Sequence, residues 1–164
     1  MLSQTLLAFE RRTTALATAA AQLLLAVAVV CGAYQVVVRF IFNNPSDWTE
    51  VTTRVALIWM VYLGIAVALR TGALVSVDLL YRLSKGVWQR RLELLITLAV
   101  LAFLAVMIVF GALVTWRIRF QELAGLYISI SWAYLAIPVG GLFAAVAVIA
   151  HYFDPQRHEL ETAV

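Results

Sequence analysis

Long apolar runs separated by short polar breaks make up this chain. The runs cover about residues 14–38, 48–69, 92–116 and 128–152. Each is long enough to cross a hydrocarbon core of about 30 Å as helix, for which about twenty residues suffice. The fold class expected is all-α: a polytopic membrane protein with four transmembrane helices, in a single membrane domain over residues 1–164. Residues 1–9 read as a short surface leader, and Glu10-Arg11-Arg12 marks the water boundary.

The breaks carry the punctuation. Asn43-Asn44-Pro45 is a turn signal, and Arg39 is assigned to this first loop. Asp47 has the position of an N-cap, with Glu50 three residues later at capping-box spacing. Trp48, Trp88 and Trp116 sit where aromatic residues anchor helices at the membrane–water interface. In the second loop Asp78, Arg82, Lys85 and Gln89 share one helical face, opposite Leu79, Leu80, Leu83, Val87 and Trp88. That pattern predicts an interfacial amphipathic helix over about 76–89 between the second and third spans. Pro138 predicts a kink near the middle of the fourth span, because it removes a backbone donor. Gly64 predicts a close helix crossing.

Composition adds the membrane class and removes others. The 164 residues are 64% hydrophobic and 13% charged, against roughly 45–50% and 25% in soluble domains. The net charge of +3 does not require nucleic acid, because the basic residues concentrate in one loop. Arg11, Arg12, Arg70, Arg82, Lys85, Arg90, Arg91 and Arg157 fall on one side of the membrane. Only Arg39, Arg117 and Arg119 fall on the other. By the positive-inside rule both termini are expected in the cytoplasm. The first apolar run is too long for a signal h-region of 7–15 residues, so it reads as a retained helix. Cys31 cannot form an internal disulfide on its own.

Little in the chain could carry covalent chemistry. His151 and His158 lie at or beyond the end of the last run, which leaves no bis-histidine haem site within the bundle. No nucleophile, phosphate or metal motif occurs, so no enzyme activity and no cofactor is expected. The sharpest polar feature is Glu50 and Arg54, one helical turn apart at the entrance of the second span. Two readings stay open for Arg54: a charge facing a partner or a substrate path, and an ion pair that only sets helix rotation. Trp59 reads as a packing residue. Arg70, closing the same span, is expected to snorkel to headgroups.

Trp48-Thr49-Glu50, Arg54, Trp59, Leu63-Gly64, Arg70-Thr71-Gly72 and Val77-Asp78-Leu79-Leu80, with Trp132-Ala133-Tyr134 and Ile137-Pro138-Val139-Gly140, occur in an order that resembles a known family. The chain is similar over nearly its whole length to the small membrane subunit, the Q subunit, of tripartite ATP-independent periplasmic (TRAP) transporters. Leu74 stands where family members commonly carry a histidine.

The resemblance implies a non-catalytic subunit of a sodium-driven uptake system for an organic acid, in a bacterial or archaeal cytoplasmic membrane. Its partners would be a large TRAP membrane subunit, a periplasmic substrate-binding protein and the lipid bilayer. Glu50, Arg54, Trp59, Gly64, Arg70, Asp78 and Pro138 become candidates for the subunit interface or for structural roles. Arg39, Asp47 and Glu122 become candidates for docking the binding protein. The competing readings are a small independent carrier and a membrane anchor for a redox complex. The carrier needs an ionisable residue near the bilayer centre, and the anchor lacks its haem ligands.

Overall fold

The computed structural model of the chain describes residues 2–44, 46–70, 87–123 and 127–153. They form helices α1 (Leu2–Ile41), α2 (Asp47–Arg70), α3 (Val87–Arg117), the short α4 (Ser131–Tyr134) and α5 (Ala136–Phe153). Four helical stretches are long and apolar enough to cross a membrane: Arg11–Ile41, Asp47–Arg70, Leu94–Arg117 and Ser131–Tyr152. The four spans and the all-α class match the apolar pattern. Asp78, the 76–86 part of the expected interfacial helix, and the polar tail beyond 153 lie outside the described residues.

Element ends differ from expectation for local reasons. α1 starts at Leu2, so the leader joins the first helix and Glu10-Arg11-Arg12 does not interrupt it. Leu, Ala, Gln and Arg are good helix formers, and no glycine or proline occurs before Gly32. Arg39 lies in the last turn of α1 rather than in the loop. The chain then reverses at Asn43, whose φ of 50° is a left-handed conformation that asparagine tolerates.

α2 begins at Asp47, which places that carboxylate inside the first turn instead of ahead of it as a cap. It still suits the positive end of the helix dipole there. Among the described residues no capping-box bond joins Asp47 and Glu50, and Glu50 turns to Arg54 and to α1. The Thr49 hydroxyl instead donates to the Ser46 carbonyl at 2.8 Å. α3 is described from Val87, and Val87 to Gln89 are helical in continuity with it, ahead of the spanning stretch Leu94–Arg117.

The fourth span starts at Ser131, not 128. Ahead of it Glu122 and Ser129 pair as an antiparallel bridge. Leu123 N–H donates to Ile128 O and Ile130 N–H to Gln121 O, both at 2.8 Å. The span is interrupted for a single residue at Leu135, between α4 and α5, where the backbone stays in the right-handed helical region (φ −62°, ψ −21°). Pro138 therefore sits in the first turn of α5, and the break lies one turn before it rather than at mid-span. The reason is steric. A proline ring clashes with the carbonyl four residues earlier, here that of Tyr134.

α5 is the hub of the packing. α1 lies against α2, α2 against α5, and α5 against α3, with a lighter α1–α5 contact. Among the described residues α3 makes no close backbone approach to α1 or α2. Ala66 of α2, Ala144 and Val148 of α5, and Leu104 of α3 form one continuous core. Among the described residues nine of the twelve buried apolar ones are alanine, so the helices approach closely through small side chains. That is how helices associate in lipid, where burying bulk apolar surface gives little drive.

Glycines of α5 sit at close helix approaches. A Cβ on Gly140 would lie 2.7 Å from Tyr62 Cβ and 3.0 Å from Tyr62 O, on α2. One on Gly141 would lie 2.8 Å from Ile108 of α3. Gly64 makes no close crossing within the chain, contrary to expectation, since among the described residues nothing lies within 4 Å of the corresponding point. The crossing partner of α2 is Gly140.

Candidate functional site

The polar cluster of the membrane spans forms where α1 meets the first two turns of α2. Helical spacing brings Arg54 over Glu50, and the guanidinium pairs with the Glu50 carboxylate. Gln35 reaches the same carboxylate from α1, its Nε2 lying 3.5 Å from Oε2. The pair faces outward, with side chains 71% exposed for Arg54 and 46% for Glu50. Arg54 is seven residues into α2, about 10 Å along the axis. A charge this exposed on an apolar span must meet headgroups or another protein, since at mid-bilayer it costs about 2.5–3.5 kcal/mol.

The neighbouring threonines serve the backbone rather than this pair. Thr52 Oγ1 donates to Trp48 O at 2.7 Å, and Thr53 Oγ1 to Thr49 O at 2.8 Å. Both satisfy carbonyls of their own helix.

Deeper in α2, Trp59 does more than pack. Its indole N–H donates to the Trp132 carbonyl at 2.9 Å, joining α2 to the short helix before the Pro138 break. Ser131 Oγ donates to Thr115 O at 3.0 Å and ties α4 to α3. The broken entrance of the fourth span is thus held from both sides.

Arg70 departs from the expectation that it reaches headgroups, since only 3% of it is exposed. Its carbonyl lies 3.2 Å from His151 Nδ1, so α2 and α5 meet again at this end of the bundle. A donor at a helix C-terminus meets one of the last carbonyls, which lack intrahelical partners.

The opposite end gathers the loop candidates. Arg39 is exposed in the last turn of α1, Asp47 is exposed at the start of α2, and Glu122 is exposed in the bridge to Ser129. Trp116 is exposed in the last turn of α3, with the Arg119 guanidinium 3.9 Å from its ring centre and 4.6 Å from that of Phe120. Trp48 is half-exposed, its ring 6.0 Å from that of Tyr34. Trp88 lies in the first turn of α3. Among the described residues no group of three or more His, Cys, Asp or Glu side chains could hold a metal ion.

The sequence motifs did not link Gln35 to the ion pair, or Gly140 to Tyr62. Gln35 was legible as a polar break in an apolar run. The Gly140-Gly141 doublet after Pro138 was a usable signal for close approach.

What the arrangement offers is an outward-facing charge and a built loop end, without an interior polar path among the described residues. The family model for tripartite ATP-independent periplasmic transporters, DctQ component, matches residues 27–158. The chain belongs to the DctQ family. A relative in Vibrio cholerae serotype O1, the sialic acid TRAP transporter small permease protein SiaQ, is 32% identical over 123 residues. That alignment covers 74% of this chain and 70% of the relative. This DctQ-family chain is therefore the small permease subunit of a TRAP transporter, a multi-pass protein of the inner membrane. The match includes α2, with Glu50 and Arg54, and the whole broken fourth span.

Proposed function

We propose that this chain is a non-catalytic scaffold for the large membrane subunit of its transporter, and that it neither binds nor moves substrate itself. The observation that carries this reading is the outward aim of the Glu50–Arg54 pair. A carrier would turn its charge into an enclosed path near mid-bilayer, whereas a scaffold presents it to a neighbour. The long exposed apolar faces of α1 and α3, including Leu23, Val30, Phe103 and Phe110, supply surface for the same neighbour and for lipid.

The transporter would couple a sodium gradient to uptake of an organic acid delivered by a periplasmic binding protein. The relative is named for sialic acid, itself an organic acid. Both termini would face the cytoplasm, in keeping with the excess of Lys and Arg on that side. The Arg39, Asp47 and Glu122 end would then face the binding protein.

The test is uptake into liposomes under an inward sodium gradient. Transport is expected only when this chain, the large subunit and the binding protein are all present. Uptake by this chain alone would overturn the scaffold reading.

A further inference from the structure

The turn that follows α3 carries a cluster that the scaffold role does not use. The Arg119 guanidinium lies over the Trp116 ring, 3.9 Å from its centre, and 4.6 Å from the centre of the Phe120 ring. Both rings are otherwise open, Trp116 at 71% and Phe120 at 82% exposure. Arg117 stands exposed beside them in the last turn of α3. Neither guanidinium forms an ion pair among the described residues. The turn beneath them is built. The Ser129 hydroxyl donates to the Arg119 carbonyl at 2.7 Å, and Gln121 N–H donates to Ile118 O at 2.9 Å. The Glu122–Ser129 bridge closes the loop. Arg119 is thus held at its backbone and at its tip, so it has less freedom to lose when it binds.

Charge selects the class of ligand. A guanidinium stacked on an aromatic face keeps its N–H donors along its edge, in a fork that matches phosphate oxygens. The C-terminus of α3 adds about half a negative charge, and Glu122 adds one carboxylate. Two guanidinia outweigh them, and the turn stays net positive. Depth selects the source. The spanning stretch Leu94–Arg117 has 24 residues, about 36 Å of helix against a hydrocarbon core of about 30 Å. Its end therefore clears the hydrocarbon and reaches the phosphate layer, where interfacial aromatics sit. Leu113, Phe120 and Trp132 add exposed apolar surface around it. A free phosphate would leave that surface unused, whereas a phospholipid covers it. A zwitterionic headgroup would bring its own ammonium to a positive turn, and an anionic one brings none.

We propose that Arg117 and Arg119 bind the phosphodiester of an anionic phospholipid of the glycerol-headgroup type, with Trp116 and Phe120 holding the Arg119 guanidinium in place. The site is independent of the scaffold role and of which way the termini face.

The experiment titrates the delipidated transporter complex with phosphatidylglycerol and, separately, with phosphatidylethanolamine of the same acyl chains. Bound lipid is counted by native mass spectrometry. The wild type is expected to prefer phosphatidylglycerol by about tenfold, as a charge-assisted hydrogen bond allows. Arg119→Gln should remove most of that preference, and because Arg119 is exposed its loss leaves the helices packed. Phe120→Ala should weaken it about threefold, the scale of an exposed cation–π contact. Arg39→Gln removes the same charge from the same end of the molecule, away from these rings, and should leave the preference in place. Equal binding of the two lipids by wild type would overturn the proposal. So would a loss with Arg39→Gln as large as with Arg119→Gln, which would assign the preference to bulk charge. Displacement of the lipid by an equal concentration of inorganic phosphate would refute the lipid as occupant. An unchanged lipid count in Arg119→Gln with weaker association of the binding protein would give the surface to that protein instead.

Discussion

Substituting Gly140 tests the packing on which the fold depends. An alanine there would place its Cβ 2.7 Å from Tyr62 Cβ and 3.0 Å from Tyr62 O. One of those atoms is backbone of α2, so no rotamer change relieves the clash. The two helices must separate instead. Overpacking of this kind costs about 1–3 kcal/mol, while alanine regains about 0.5–1 kcal/mol of the glycine's conformational cost. The net loss is about 1–2 kcal/mol, a factor of roughly 5–30 in the folding equilibrium. Gly64→Ala is the matched control on the partner helix. Among the described residues nothing lies within 4 Å of its Cβ position, so the chain is expected to keep or slightly gain stability. The assay is equilibrium unfolding of both variants in the same mixed micelles, followed by near-ultraviolet circular dichroism. Gly140→Ala equal to wild type, or Gly64→Ala the more damaging of the two, would refute close α2–α5 packing at Tyr62.

Two further substitutions address the polar contacts. Trp59→Phe keeps most of the packing and deletes the indole bond to Trp132 O, so a loss of about 0.5–1.5 kcal/mol is expected. Faster amide exchange near the Leu135 break should accompany it, and unchanged exchange there would refute the clamp. Arg54→Ala should lower recovery of the complex with the large subunit more than it changes apparent substrate affinity. Reversing the pair (Glu50→Arg with Arg54→Glu) should restore part of that recovery if the contact within the chain is what matters. Normal assembly with altered substrate preference would instead put Arg54 on the path.

Much of the architecture was legible in the chain because membrane helices obey a length rule. Four apolar runs of about twenty residues or more are four spans whatever packs beside them, and an i,i+4 Glu50/Arg54 spacing places both side chains on one helical face. Pro138 announced a kink because its chemistry is local, though its ring acts on the preceding turn and so places the interruption at Leu135. The family motifs were also local strings, and the DctQ match rests on the same stretch of chain.

Tertiary contacts decided the rest. Whether a glycine permits a close crossing depends on what stands opposite. That is Tyr62 for Gly140 and, among the described residues, open space for Gly64, and the sequence hints at the difference only through the Gly140-Gly141 doublet after Pro138. Gln35 joins Glu50 across fifteen residues, and Trp59 meets Trp132 across seventy-three. Glu50, expected in a capping box, pairs instead with Arg54 of its own helix and with Gln35 of α1. Arg70 has the sequence position of a snorkelling arginine, yet the fold buries it beside the α5 end that carries His151. Apolar length and periodicity are properties of a segment, so the sequence alone determined the spans. The partner of each side chain is a property of the assembled helices, and only the fold could choose it.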